Sequence, residues 1–177
     1  GEWNEGYARY YARRPVRRLP AEVIFDAVCQ STGIFDELQI YGTSKVVNFV
    51  LETYSSEDIQ DVELKRFLHY FGQSERKVDA PLTGGSIIQA SLLVNSDIIK
   101  KRVLTSTKNS TVNKLLKQTP VLSNEKIVEE LFLATLSRFP TEAEKNLLVK
   151  HLREHRDFGA EDVQWALLNK LEFLFNY

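Results

Sequence analysis

The sequence lacks several features that would identify whole classes of protein. It has one cysteine, Cys29, and no methionine. A single cysteine excludes an internal disulfide, a CxxCH haem site and any zinc site built from several cysteines. No apolar run approaches the roughly 20 residues of a membrane span. A G-x-S-x-G motif is absent, so a serine triad has no local support.

An excess of charge of either sign is also missing. Lysine and arginine number 23, aspartate and glutamate number 24, and the formal net charge is −1. A general polyanion-binding protein would favour a clear positive excess, so nucleic acid is not expected as a partner. Hydrophobic residues make up 43% of the chain, which is enough for a folded core. The chain opens on Gly1, and we expect it to be part of a longer polypeptide.

Residues 1–19 form an aromatic and basic arm, predicted to be extended or a short helix leading into a linker. Its candidate binding residues are Tyr10, Tyr11, Arg13, Arg14, Arg17 and Arg18. The arm can bind phosphates and stack bases on its tyrosines. Its arginines can instead lie along the domain surface and pair with acids. We favour the second interpretation, because nothing downstream extends the basic patch.

Residues 20–177 carry the periodic apolar residues of a helical domain. Pro20 and Gly33 bound the first predicted helix. Residues 34–43 read as a loop, and residues 44–54 favour a helix although their β-branched content also fits a strand. Further helices are predicted after a Ser55 or Ser56 cap, in the two segments flanking residues 95–97, and from Ser123 onward. Residues 105–113 are small and polar and predict a mobile surface loop.

The segment 131–144, LFLATLSRFPTEAE, predicts a sharp helix–helix corner. Pro140 disfavours helical geometry at Phe139, so the first helix should end near Arg138. Thr141 and Glu144 have the spacing of a capping box, in which each side chain satisfies a free backbone N–H. The next helix is expected to direct Leu147, Leu148 and Leu152 inward. Residues 157–159 should end it, and a buried helix should follow.

The motif HLREH at 151–155 matches the H-x-x-E-H pattern of inverted zinc proteases. His151 and His155 are four residues apart and would project from one helical face toward a shared metal, with Glu154 as the base that activates water. Glu161 or Glu172 would have to supply a third ligand. We favour the simpler interpretation of partly buried or helix-capping histidines, because both fall within the predicted apolar stripe.

Other polar groups favour structural roles. The Gly84-Gly85-Ser86 turn has no P-loop lysine, so a helix cap is expected there. His69 lies among core aromatics, and Cys29 lies on an amphipathic helix as a packed side chain. Glu22 and Asp26 are expected on a solvated helix surface.

Several stretches together resemble one family. They are YYARRPVRRLPAEVIFDAVCQSTG at 10–33, RFLHYFGQSERKVDAPLTGGSIIQASLLVNSDIIKKRV at 66–103, IVEELFLATLSRFPTEAEKNLL at 127–148 and WALLNKLEFLFNY at 165–177. They resemble the C-terminal PSD-one domain, domain of unknown function 1553, of planctomycete- and acidobacterium-type envelope proteins. The resemblance spans nearly the whole chain, and it carries no catalytic residue across.

The resemblance implies a periplasmic or cell-envelope location and a companion domain in the same bacterial polypeptide. We therefore expect an all-α fold, with an arm at 1–19 and a single helical domain at 20–177. The favoured function is a non-catalytic structural or interaction module without a cofactor, whose partners include the companion domain and envelope proteins or polysaccharide. The alternative is an enzyme or glycan-acting domain with a helical pocket, with or without a metal.

Overall fold

The computed structural model of the chain describes residues 4, 6–7, 17–53, 59–72 and 95–176. Over these ranges the protein is predominantly helical. The helices are α1 (Ala21–Thr32), α2 (Val62–Tyr70), α3 (Asp97–Val103), α4 (Thr111–Lys117), α5 (Asn124–Leu136), α6 (Glu142–Glu154), α7 (Arg156–Leu168) and α8 (Leu171–Leu174), with a 3-10 helix at Val50–Glu52. None of the helices in these ranges combines the length and the hydropathy that a membrane span requires.

Two short antiparallel ribbons accompany the helices, so the all-α prediction holds only in its main part. β1 (Arg17–Arg18) pairs with β4 (Phe175–Asn176), and β2 (Leu38–Gln39) pairs with β3 (Val46–Val47). The second ribbon and the 3-10 helix replace the helix predicted over residues 44–54. The β-branched valines of this stretch fit a strand, and Gly42 adopts the left-handed φ of 76° in the connecting turn.

The buried apolar side chains form two clusters. The first joins α1, α2 and α3 with the β2/β3 ribbon, and it also takes in Leu168 and Phe173 from the C-terminal part of the chain. The second joins α4, α5, α6 and α7. Leu136, the last residue of α5, packs against both clusters. The end of α5 is therefore the place where the two cores meet.

Side-chain caps set the start of most helices. Ser96, Ser110, Ser123 and Thr141 each accept a backbone N–H at the start of α3, α4, α5 and α6. Asp61, and not Ser55 or Ser56, caps α2. The prediction of a mobile loop over residues 105–113 is wrong for its second half, because α4 begins at Thr111 and Ser110 is fully buried.

The carbonyl oxygen of Ser31, in the last turn of α1, ties distant parts of the chain together. It accepts a hydrogen bond from Gln164 Nε2 at 2.8 Å and another from Thr111 Oγ1 at 2.8 Å. Carbonyls in the last turn of a helix have no partner within the helix, so these bonds satisfy an otherwise unpaired acceptor. They fix α4 and α7 against the end of α1.

Helices α6 and α7 form the C-terminal hairpin, whose details differ from the prediction. The break falls at His155 and not at residues 157–159, because Gly159 lies buried inside α7 against His151 and Leu152. Leu147, predicted to point inward, is 68% exposed, while Val149 and Leu152 are buried. The buried final helix is interrupted at 169–170 before α8.

Candidate functional site: the helical corner

The corner between α5 and α6 is built as its sequence predicts. Helix α5 ends at Leu136, and Ser137 takes a left-handed conformation with φ of 55°. Thr141 Oγ1 accepts the backbone N–H of Glu144, and Glu144 accepts the backbone N–H of Thr141 at 2.9 Å. The predicted capping box is therefore confirmed, and the chain reverses direction between two helices that each have a defined end.

Arg138 holds this corner to the C-terminal segment through two carboxylates. Its guanidinium donates to both oxygens of Glu144 at 2.9 and 3.0 Å. It also donates to both oxygens of Glu172 at 2.5 and 2.8 Å. Two-pronged contacts of this kind are the strongest geometry available to an arginine–carboxylate pair. Arg138 therefore links the start of α6 to α8.

Lys170 and Phe132 complete the ionic cluster, which we define as Arg138, Glu144, Lys170 and Glu172. Lys170 Nζ lies 2.6 Å from Glu144 Oε1. The Arg138 guanidinium carbon lies 5.1 Å from the centre of the Phe132 ring, and Lys170 Nζ lies 5.7 Å from it. An aromatic face attracts a cation at such distances. Both cations are thus held between carboxylates and a buried ring.

The charges of the ionic cluster stabilise one another. The hydrogen bonds that Arg138 donates to Glu172 and Glu144 raise the pKa of Arg138. The hydrogen bond from Arg138 is the main cause of the lowered pKa of Glu144, with Lys170 and Thr141 acting in the same direction. The pKa of Glu172 is lowered chiefly by Arg138. Both carboxylates are therefore ionised at neutral pH, and their ion pairs with Arg138 hold the corner to α8.

Acid should weaken the ionic cluster and so destabilise the fold. Because the folded pKa values of Glu144 and Glu172 lie below the usual value of about 4.3, both carboxylates stabilise the fold above that pH and lose their contribution as pH falls through the folded values. We expect the free energy of unfolding to decline from about pH 5 downward. Urea unfolding at a series of pH values should show a shallower decline in Glu144→Gln. Equal slopes in Glu144→Gln and the wild type would contradict the stabilising role of the ionic cluster.

Three exposed apolar side chains lie on the segments that the ionic cluster joins. Phe139, Leu147 and Leu171 are 63%, 68% and 65% exposed. Phe139 follows Arg138, Leu147 lies one turn after Glu144, and Leu171 stands between Lys170 and Glu172. The ion pairs bring these segments together, so we name the three side chains the corner patch. Exposed apolar side chains on neighbouring segments favour an interaction surface.

The two histidines of the H-x-x-E-H motif lie close together, at the far end of the hairpin. Their ring centres are 6.4 Å apart. His151 Nε2 lies 3.0 Å from Asp162 Oδ2 on α7. The two proposed third ligands are engaged elsewhere, because Glu161 accepts the backbone N–H of Thr105 and Glu172 binds Arg138. Within the described ranges no three His, Cys, Asp or Glu side chains are grouped to hold a metal ion. Zinc binding stays a prediction, which elemental analysis of the purified protein would test.

The sequence predicted Asp26 on a solvated helix surface, and this prediction is wrong. Asp26 is only 4% exposed. Its carboxylate accepts the backbone N–H groups of Val50 at 2.8 Å and Leu51 at 3.1 Å, and so caps the 3-10 helix. Burial raises its pKa, although these two hydrogen bonds act in the opposite direction. The buried acid therefore serves to hold the 3-10 helix against α1.

Cys29 is the packed side chain that the sequence predicted, whereas the prediction that His69 lies among core aromatics is wrong. Cys29 is fully buried, and burial raises the pKa of its thiol to about 11, which disfavours the nucleophilic thiolate. His69 is exposed on α2, with its ring centre 5.8 Å from that of Tyr70. The Gly84-Gly85-Ser86 turn lies outside the described residues.

The arm joins the domain beside the chain's last residues. Arg17 and Arg18 form β1 against β4, and Arg18 Nη2 donates to the carbonyl oxygen of Phe71 at 2.9 Å. The backbone N–H of Leu19 donates to the carbonyl oxygen of Leu174, directly before β4. The candidate binding residues Tyr10, Tyr11, Arg13 and Arg14 lie outside the described residues. The arm therefore enters the domain next to α8, which carries Leu171 of the corner patch.

The comparison with protein families agrees with the resemblance of the motifs. A family model, PSD1, described as a protein of unknown function (DUF1553), matches residues 3–152. The chain belongs to the PSD1 family. No curated protein and no solved structure matches the chain.

The PSD1 match includes the corner but ends before part of the ionic cluster. Arg138 and Glu144 fall within residues 3–152, whereas Lys170 and Glu172 lie beyond them. The sequence indicated the capping role of Glu144 through its spacing from Thr141. It gave no signal for the contact between Arg138 and Glu172, which are 34 positions apart. The PSD1 description assigns no activity. The surface of the domain is therefore the basis for a proposal of its function.

Proposed function

We propose that this PSD1 domain is a non-catalytic docking module of an exported bacterial multidomain protein, and that it packs against a companion domain through the corner patch. The observation that carries the proposal is the placement of three largely exposed apolar side chains on segments that the ionic cluster joins. Because the segments are already joined before binding, less conformational entropy is lost on association.

The route of the chain supports the companion domain as the partner. Any domain joined through the arm reaches the PSD1 domain at Arg17, which pairs with β4 immediately after α8. Leu171, the first residue of α8, belongs to the corner patch. A tethered domain is thus held at high effective concentration beside the patch, so that a modest apolar surface is sufficient for docking.

The ionisable groups of the corner are paired with one another. Hydrogen bonding with Glu172 and Glu144 raises the pKa of Arg138, and hydrogen bonding with Arg138 lowers the pKa of Glu144. These groups therefore stabilise the corner that carries the patch.

A binding experiment with matched variants tests the proposal. The PSD1 domain should bind its separately produced companion domain with saturable heat in calorimetric titration. Phe139→Ser combined with Leu147→Ser should weaken binding at least about tenfold, because each side chain would lose roughly 1 kcal/mol or more of apolar burial. Phe158→Ser combined with Val121→Ser removes two equally exposed apolar side chains elsewhere and should leave the affinity unchanged. Absence of binding at high micromolar concentration, or equal loss in both variants, would refute docking through the corner patch.

One observation favours the alternative of a ligand-binding or enzymatic domain. A cavity of about 220 Å³ lies between α2 and the start of α3, lined by Glu63, Arg66, Phe67 and residues 95–98. Its charged side chains suit a small polar ligand better than an apolar one. A ligand whose binding disappears in Arg66→Ala but persists in the corner variants would support this alternative.

A further inference from the structure

Residues 98–122 concentrate positive charge that the balanced total of the chain conceals. This segment contains five lysines and one arginine and no aspartate or glutamate, in a chain with a formal net charge of −1. The arginine, Arg102, is buried, pairs with Asp36 and donates to the carbonyl oxygen of Ile98. The lysines are all exposed. We name them the lysine surface: Lys100, Lys101, Lys108, Lys114 and Lys117.

Within the described ranges, the lysine surface differs from the neighbouring lysines in making no ion pair. Lysines of the neighbouring helical region pair with acids: Lys126 with Glu130 at 2.8 Å, and Lys145 with Glu129 at 2.8 Å. In the described part of the chain, none of the five lysines pairs with a carboxylate in this way. The acid that reaches this segment from α7, Glu161, is occupied by the backbone N–H of Thr105. Exposed like charges without acidic partners repel one another and favour an acidic partner.

The lysine surface is held in place by the turn between α3 and α4. Thr107 Oγ1 donates to the carbonyl oxygen of Lys101 at 2.5 Å, and Asn113 Nδ2 donates to that of Thr105 at 2.6 Å. Ser110 caps α4, and Asn109 adopts a left-handed conformation with φ of 66°. These hydrogen bonds hold the backbone of the turn that connects α3 and α4, from which the lysines project.

The residue types favour one class of anion. Residues 95–122 contain no phenylalanine, tyrosine or tryptophan, so this segment itself supplies neither the stacking platform of single-stranded nucleic-acid binders nor the aromatic anchors of a membrane interface. Its accessible cations are lysines, which act as point charges and do not require the planar two-pronged geometry that arginine offers to phosphate. Ser106 and Asn109 are exposed between the lysines and can hydrogen-bond to hydroxyl groups.

We infer that the lysine surface binds an acidic polysaccharide, whose repeated carboxylate or sulfate groups pair with the lysines while its hydroxyls contact the polar turn. The balanced total charge had argued against a polyanionic partner, and no basic patch was expected downstream of the arm. The local segregation of charge reverses that expectation for this face. The inference is independent of docking at the corner patch, which involves different residues.

Binding to defined polyanions tests the inference. The full chain should bind alginate, a carboxylated polymer, or heparin, a sulfated one, at low ionic strength, and affinity should fall steeply with added salt as counterions are released. Lys108→Gln, Lys114→Gln and Lys117→Gln combined should weaken binding about tenfold, since three exposed charge pairs are removed. The matched control, Lys45→Gln, Lys65→Gln and Lys150→Gln combined, changes the net charge equally and should bind like the wild type.

Circular dichroism should show unchanged helix content in both triple variants, because the substituted side chains lie at the surface. Wild-type failure to bind either polymer would overturn the inference. So would equal weakening in the control, which would indicate attraction by net charge alone. Stronger binding to anionic phospholipid vesicles or to duplex DNA, compared at equal charge concentration, would assign the surface to a different partner and also refute it.

Discussion

Replacing Arg138 with alanine is expected to lower the free energy of unfolding by about 2 kcal/mol. The substitution removes the hydrogen bonds to Glu144 and Glu172 and leaves two carboxylates facing each other with only Lys170 to balance them. An exposed pair contributes up to about 1 kcal/mol, and breaking a buried pair costs about 3–5 kcal/mol. The guanidinium side chain is 32% exposed, which places the effect between these limits. Chemical unfolding should therefore show an earlier midpoint with an unchanged slope.

The matched control for Arg138 is Arg153→Ala. Arg153 also pairs with a glutamate, Glu125, but at 3.4 Å and with a side chain that is 70% exposed. No measurable change in stability is expected from it. Arg138→Lys should recover only part of the loss, because lysine keeps the charge but not the two-pronged geometry. Equal stability of Arg138→Ala and Arg153→Ala would show that the ionic cluster does not hold the corner.

Replacing Gly159 with valine is expected to lower the free energy of unfolding by about 2–3 kcal/mol and the melting temperature by roughly 4–10 °C. A Cβ at this position would lie 3.3 Å from His151 Cδ2 and 3.4 Å from Leu152 Cα. The second contact is with backbone, which can move only if α6 shifts away from α7. The γ carbons of valine would add to the same crowding. Differential scanning calorimetry would measure the change.

Ala166→Val is the matched control for Gly159 on the same helix. Ala166 is exposed, so the added methyl groups meet no neighbouring helix. The lower helix propensity of valine should reduce the free energy of unfolding by about 0.5 kcal/mol, and no larger loss is expected. If Gly159→Val is as stable as Ala166→Val, the close approach of α6 and α7 at Gly159 is not a constraint on the hairpin.

The corner could be predicted from the sequence because its determinants are local. The proline that ends one helix and the Thr141–Glu144 box that starts the next lie within five positions. The same reasoning explains the correct ends at Gly33 and Ser123. Caps and breakers act on backbone groups one turn away, so their spacing is visible in a single sequence.

Other features depend on what the chain meets in three dimensions. Gly159 resembles a helix breaker in sequence, but its lack of a side chain serves the packing of α7 against α6. Leu147, predicted to point inward, is exposed while Val149 is buried, because the α6 face that packs on α7 is fixed by the hairpin. The stretch 44–54 becomes a strand and a 3-10 helix because Leu38 pairs with Val47 and Asp26 caps the 3-10 turn. None of these partners is adjacent in sequence.

Hydrogen exchange on a polypeptide that includes the proposed companion domain, compared with the PSD1 domain alone, tests docking at the corner most directly. Docking predicts slower amide exchange over residues 137–147 and 169–175 in the longer polypeptide, with residues 98–122 unchanged in the absence of polysaccharide. Identical exchange in the two samples over the corner would contradict it.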